Sequence, residues 1–429
     1  MKELYNQAQS LDQSDPLQSF RNQFHIPTDE QGNEKIYFCG NSLGLQPKAA
    51  TDAVEKELKK WRTLGVDGHF TEPDPWWTYH KLLKKPLAQL VGAQESEVVA
   101  MNNLTTNLHL LMASFYRPTT RRYRIIIEGR AFPSDHYAVE SQIRWHGFDP
   151  QDALVELHSR SGEETLRTED IVQSIDAHRN SLALVLLPGI QYYTGQFFDL
   201  KTITEATHQA GAKAGYDLAH AIGNVPMQLH DWKVDFAVWC SYKYLNSGPG
   251  NTGGAFVHQR YANDTEILRL AGWWGHREED RFQMKPGFKP MYGVDGWQLS
   301  NANIVPLAAQ RASLQIIAEA GISRIREKSL KLTEFLEKCI HRIDPEQKRI
   351  TVITPRDPEE RGAQLSLVFA DQGKQVFEKL TQSGIIADWR EPSVIRVAPA
   401  PLYNTFTEAY HFSEIVSETV KYESGCRAI

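Results

Sequence analysis

From about Ala100 to Val257 the chain alternates short apolar runs with segments whose apolar positions recur at helical spacing. The runs are Arg124-Ile-Ile-Ile, Leu182-Ala-Leu-Val-Leu-Leu, Ala214-Gly-Tyr, Phe236-Ala-Val-Trp-Cys and Gly254-Ala-Phe-Val. Near-continuous apolarity suits strands buried on both faces, and the spacing between the runs predicts helices over 134–145, 169–178 and 200–210. Strands alternating with helices imply crossover connections, hence an α/β fold with a mainly parallel sheet flanked by helices. Beyond Asn303 the texture changes to a long amphipathic stretch, 307–339. Strand-like Ile350-Thr-Val-Ile, Leu365-Ser-Leu-Val-Phe and Val394-Ile-Arg-Val follow, with a helix among them. This pattern predicts a large domain over 46–305 and a smaller α+β domain over 306–429. Residues 1–45 are expected to pack on the small domain or on a partner subunit.

A chain of 429 residues is long enough for two or three units at the soft prior of about 150 residues per domain. Its formal charge of -6 leaves no basic footprint for nucleic acid. No apolar stretch approaches the roughly 18 residues of a membrane span, and the start is polar rather than a secretory signal, so a cytoplasmic protein acting on small molecules is expected. Cys39, Cys240, Cys339 and Cys426 are widely scattered, which suggests neither a disulfide framework nor a zinc knuckle. The histidines lack His-Glu-x-x-His or comparable spacing, so no metal is expected.

The chemistry concentrates where strands should end. Lys243 follows the run Phe236-Ala-Val-Trp-Cys in a glycine-bounded turn, and Asp217 closes Lys213-Ala-Gly-Tyr-Asp. A lysine can condense with an aldehyde while an aspartate holds a pyridinium nitrogen protonated at the opposite ring edge, as a pyridoxal phosphate site needs. Ligands in such sheets gather at the carboxyl ends of strands, which puts both residues on one rim. Thr105 stands near the start of a helix carrying Leu108, Leu111, Met112 and Phe115 on one face; unpaired N–H groups there suit a phosphate, and equally suit simple capping. Phe132-Pro133-Ser134-Asp135 offers a ring to stack and a carboxylate; an ordinary core phenylalanine and a helix cap are the plain alternatives. His220 lies just beyond Asp217. The run 248–254 lacks the order of a phosphate loop and reads as a turn between strands. Arg396 is a cation among apolar strand residues, either gripping a substrate carboxylate or closing a structural salt bridge.

These residues, with Tyr37-Phe-Cys-Gly-Asn-Ser-Leu-Gly-Leu-Gln-Pro, Tyr193-Thr-Gly-Gln, Gly272-Trp-Trp-Gly-His, Leu299-Ser-Asn and Val394-Ile-Arg-Val-Ala-Pro-Ala-Pro-Leu-Tyr-Asn, closely resemble the kynureninase family over nearly the whole chain. The resemblance implies the aminotransferase-like fold type I and pyridoxal 5'-phosphate. It implies hydrolysis of L-kynurenine or 3-hydroxy-L-kynurenine to an anthranilate and L-alanine, in tryptophan degradation or NAD biosynthesis. Lys243 would carry the cofactor as an imine, Asp217 would pair with the ring nitrogen, and Phe132 would stack. Leu104 and Thr105 would hold the phosphate, and Pro133, Ser134, Asp135, His220 and Tyr242 would complete the shell, Tyr242 doubling as acid and base. Pro188 stands where some relatives carry a serine. Trp273 and Asn301 match positions that reach the neighbouring subunit's cofactor, which implies a homodimer with shared sites. Arg396, His69, Ser300 and Asn301 would meet the substrate, and the hydrogen-bonding pair His69 and Ser300 favours a 3-hydroxy ring. The rival enzyme class is a cysteine desulfurase, which needs an exposed, mobile cysteine that none of the four provides. An inactive scaffold of the same fold is disfavoured by Lys243, Asp217, Thr105 and Arg396.

Overall fold

The apolar runs form the middle of a seven-stranded sheet. A computed structural model describes residues 2–422. In spatial order the strands are Val98–Ala100, Gly254–Val257, Phe236–Trp239, Lys213–Asp217, Leu182–Pro188, Arg124–Glu128 and Leu154–Leu157. Every junction from Phe236–Trp239 out to Leu154–Leu157 is parallel. Both junctions of Gly254–Val257 are antiparallel, which makes 248–254 the reversal between strands. Successive residues feed opposite faces. Ile126, Val185, Leu187, Tyr216 and Trp239 enter one core, while Ile125, Ile127, Leu184, Leu186 and Val238 enter another. The expected helices are present as Pro133–Trp145, Thr168–Ala177 and Leu200–Gln209. The two outermost strands escaped the apolar pattern, since Val98–Ala100 is three residues long and Leu154–Leu157 carries an exposed Glu156.

The stretch 307–339 is two helices, Ile304–Ala320 and Ile322–Ile343, broken at Gly321. Gly321 has φ +77° and ψ 129°, a region that a side chain makes costly. Ile304–Ala320 buries Leu307, Ala308, Leu314 and Ile317 in the core of the large sheet. The separate core begins with Leu332, Phe335 and Leu336 of the next helix. That core lies against an antiparallel sheet ordered Asp388–Arg390, Val394–Val397, Leu365–Phe369, Ile350–Val352. The amphipathic period runs on through Gly321, so pattern alone does not show where the second core begins.

The first 45 residues reach both cores. Helix Lys2–Gln13 lends Leu4 and Ala8 to the small core, and Leu17, Phe20 and Phe24 join the large one. Asp12 caps the helix Phe406–Tyr422 by accepting from the N–H groups of Phe406 (2.7 Å) and Thr407 (3.0 Å).

Candidate active site

Parallel strands end at a common rim, and the register fixes who meets there. Pro188 is opposite Asp217, and Asp217 is opposite Val238, so the chain leaving Trp239 carries Tyr242 and Lys243 past Asp217. The rim opens into a pocket of about 250 Å³ lined by Leu104, Thr105, Phe132, Ser134, Asp135, Asp217, His220, Tyr242, Lys243 and Arg396. All ten were expected from the sequence. Pro133 supports them from the first position of its helix, where its fixed φ and missing N–H cost nothing. Pro188 lines the same wall.

At one end, Thr105 Oγ1 and Ser134 Oγ lie 2.9 Å apart, so the starts of helices Leu104–Phe115 and Pro133–Trp145 converge. Asn103 caps the first helix by accepting only the N–H of Thr106. The N–H groups of Leu104 and Thr105 therefore remain free of helical partners and carry the positive dipole end. In the middle, Lys243 Nζ sits 6.0 Å from the Phe132 ring centroid and 2.9 Å from His220 Nε2. Burial, then the charge of Lys243, holds His220 well below its ordinary pKa, so its neutral ring accepts from the ammonium. Tyr242 is raised by burial and keeps its phenol proton.

Opposite lies an acid pair. Burial raises Asp217 despite the Ala219 N–H donated to its Oδ1 at 2.7 Å and the nearby Lys243 charge. Asp135 is raised further, by burial and then by the charge of Asp217, to which it is hydrogen bonded. Two carboxyls this close share one proton, with Asp135 the donor. Asp135 Oδ1 and His220 Nδ1 are buried without a hydrogen-bond partner, which leaves polar capacity for a bound group.

Arg396 combines its two readings. It lines the pocket, yet its Nε donates to Asp388 Oδ2 at 2.6 Å, its Nη2 reaches the same oxygen, and its Nη1 donates to the Tyr192 carbonyl at 2.5 Å. Burial lowers it to about 10, still protonated at neutral pH.

Four expected residues stand outside this chain's pocket. His69 is half-buried, with Nδ1 3.0 Å from the Val66 carbonyl and its ring edge-on to Trp76, and Ser300 and Asn301 are exposed. Trp273 is 42% exposed and donates through Nε1 to the Arg281 carbonyl. Sequence reasoning missed several lining residues: Asn41, Ser42, Glu128, Tyr192, Cys240 and Arg390. Asn41 and Ser42 had a signal in the Gly-Asn-Ser-Leu-Gly segment, and Glu128 and Cys240 had one in their places at strand ends. Glu97, His230 and His258 also converge, elsewhere. His258 already accepts the Arg260 N–H at Nδ1 (3.1 Å) and places Nε2 3.2 Å from the His230 carbonyl, so its ring nitrogens are engaged by the protein.

Comparison with known proteins fits this geometry. The family model for the kynureninase C-terminal domain matches residues 325–416. Over 96% of the chain and 97% of the relative, it is 51% identical to the kynureninase of Flavobacterium psychrophilum. It is 53% identical to that of Koribacter versatilis over 95% of the chain and 96% of the relative. The chain belongs to the kynureninase family. The kynureninase of Nematostella vectensis is 46% identical over 96% of the chain and 93% of its own length. Among solved structures, an apo cysteine desulfurase from Thermococcus onnurineus superposes with a TM-score of 0.74 at 17% identity, covering 93% of this chain and 99% of its own. A second, a lysine-to-alanine mutant of C-DES with glycine covalently linked to its PLP cofactor, gives 0.75 at 14% over 92% and 98%. At such identities these establish the fold. They do not bring the rival activity with them. Cys39, Cys240 and Cys339 are buried, and burial pushes the thiols of Cys39 and Cys339 up to about 11 and raises Cys240. Cys426 lies outside the described residues. Nor is any helix among the described residues long and apolar enough to cross a membrane.

Proposed function

We propose that this kynureninase-family chain hydrolyses L-kynurenine, its 3-hydroxy derivative, or both, to the corresponding anthranilate and L-alanine with pyridoxal 5'-phosphate. The observation that carries the reading is a single pocket holding Lys243, Asp217 and Phe132 in a chain about half identical to kynureninases along its length. The residues fit the cofactor: two helix starts with unpaired N–H groups suit the phosphate, Phe132 offers a ring face, Asp217 offers a carboxylate for the ring nitrogen, and Lys243 offers an amine. When bound, the cofactor supplies an aldehyde for amine condensation and a ring that accepts the charge left by bond cleavage.

The chain's own groups supply the rest. Lys243 Nζ, once free of its proton, is the base for the substrate's alpha hydrogen, and His220 Nε2 at 2.9 Å is where an ammonium proton is held. Asp217 supplies negative charge, and Asp135, protonated, orients it by a hydrogen bond. Tyr242, protonated at rest, gives its phenol proton to the side-chain ketone oxygen as water attacks and, as phenolate, takes a proton back afterwards. Arg396 orients the substrate carboxylate through its planar fork, which Asp388 holds in place. Trp273 and Asn301, exposed on this chain and outside its pocket, are assigned to the site of a second copy, which makes the active unit a homodimer. Cytoplasmic placement belongs to this reading too, as does service in tryptophan breakdown or NAD synthesis.

The test is incubation with kynurenine and with 3-hydroxykynurenine while following release of the fluorescent anthranilate. Lys243→Ala should lose the visible cofactor band and all measurable turnover. Turnover at the wild-type level in that variant would refute the assignment.

A further inference from the structure

Glu128 ends the strand Arg124–Glu128 with only 4% of its surface exposed. Among the described residues it is the one that lines both the active-site pocket and a second cavity of about 190 Å³. Arg130, His158, Ser159, Glu164 and Gln191 wall that cavity, a polar lining that suits water. Little holds a negative charge on Glu128. Its Oε1 is 3.4 Å from Gln191 Nε2, a long contact, and Gln191 Oε1 is occupied by the N–H groups of Tyr193 (2.6 Å) and Thr194 (2.7 Å). Burial pushes Glu128 up to about 8, against the Gln191 contact and the charge of Arg130, which favours its protonated form near neutral pH.

We propose that Glu128, shared by the two cavities and short of partners for a negative charge, is a positioning residue: it leaves the negative charge of the buried carboxyl cluster on Asp217 and exchanges its proton with water in the second cavity. The inference rests on reading the main pocket as the cofactor site. Three carboxyls, Glu128, Asp135 and Asp217, line that pocket, and a low-dielectric space does not tolerate three charges. Asp217 is the one given an anion's partners, the Ala219 N–H and Lys243. Asp135 is raised by burial, by Asp217 and also by any charge on Glu128. An ionised Glu128 would therefore add a second negative charge beside the pair and strengthen proton binding by every basic group in the pocket, including Lys243 and His220. The groups facing Glu128 are Arg130 from its own turn, Asp135 from the next helix, Gln191 from the loop after Leu182–Pro188, and His158 and Glu164 across the second cavity. Asp217, His220 and Lys243 face it across the pocket. In the exchange, the carboxyl proton leaves to a solvent base and returns from water, with no other bond changed.

The experiment is a pH titration of the visible cofactor absorbance of the holoenzyme, from neutral to alkaline. Wild type should show an inflection near pH 8. Glu128→Gln, which keeps the size and the amide contact, should lose it. Arg130→Ala removes an exposed cation that favours ionised Glu128 and should move the inflection to higher pH. An inflection unchanged in Glu128→Gln overturns the proposal, as does one unmoved in Arg130→Ala; the latter variant suffices if the former does not fold. If wild type forms no visible band with pyridoxal phosphate at all, the cofactor reading itself falls and takes this inference with it. A band that forms but ignores both substitutions sinks this inference alone.

Discussion

Two buried aspartates flank the strand Lys213–Asp217, and they have opposite acidities. Asp217 is raised because burial outweighs the Ala219 N–H and the charge of Lys243, and a buried carboxyl raised in this way is where a ligand's charge is wanted. Asp235 sits by the other end of the strand. Burial would raise it too, but the His208 hydrogen bond and the charges of Arg260 and Lys213 overcome that and hold it well below the usual carboxylate range. It accepts from His208 Nε2 (2.8 Å), Arg260 Nη2 (2.6 Å) and the Ala214 N–H (2.8 Å), so its role is to tie helix, strand and loop. Asp235→Asn should lose roughly 3–5 kcal/mol in denaturant unfolding, the usual result of breaking a buried charge cluster from one side. The pH sign follows from the depressed acidity. Its stabilisation is full above the unfolded-state pKa near 4 and is lost as pH falls toward the folded value. The gap between wild type and Asp235→Asn should therefore close on acidification below about pH 4; a gap of constant size across that range would count against the cluster.

At the level of elements, the turn carrying Tyr242 and Lys243 is set from outside. Gly44 donates its N–H to the Tyr242 carbonyl at 2.8 Å, and a Cβ added there would lie 2.3 Å from both the Lys243 carbonyl and Asn246 Oδ1. Nothing that close can stay, so Gly44→Ala should displace the lysine turn. The expected result is a fall in kcat of roughly a hundredfold, the scale of a small misplacement of catalytic groups. Unfolding should lose only about 1–3 kcal/mol. A variant destabilised to that extent yet fully active would show that the turn does not depend on this contact. This dependence also shows what the sequence could and could not disclose. Asp217 and Lys243 were legible as one site because parallel strands bring their carboxyl ends together whatever the intervening chain does. Asn41, Ser42 and Arg390 reach the same pocket from the amino-terminal segment and the small sheet, and no periodicity encodes which loop of one layer meets which rim of another. Gly321 was hidden for a different reason: a glycine within a continuous amphipathic pattern is tolerated as often as it breaks the helix, and only its positive φ decides.

For the whole molecule the open relation is between pockets. Within one chain Lys243, Asp217 and Phe132 line one pocket, while Trp273, Asn301, His69 and Ser300 lie outside it; three of these four stand in or beside the segments 272–276 and 298–303. Trp273 is 42% exposed and Asn301 is exposed, an odd expense for a large ring and an amide if each served only its own chain. A second copy that receives them would account for both, and it makes a prediction that neither single variant can give. If one site takes Lys243 from one subunit and Trp273 from the other, a Lys243→Ala chain and a Trp273→Ala chain are each defective alone but complementary together. A hybrid dimer would then contain one site with both residues intact and one lacking both. Mixing the two variants under conditions that exchange subunits should raise specific activity above either parent, with wild-type KM in the restored fraction. If hybrids form, as tagged subunits can verify by co-purification, and activity stays at the sum of the parents, the sites are complete within single chains. Trp273 would then have to be explained as surface.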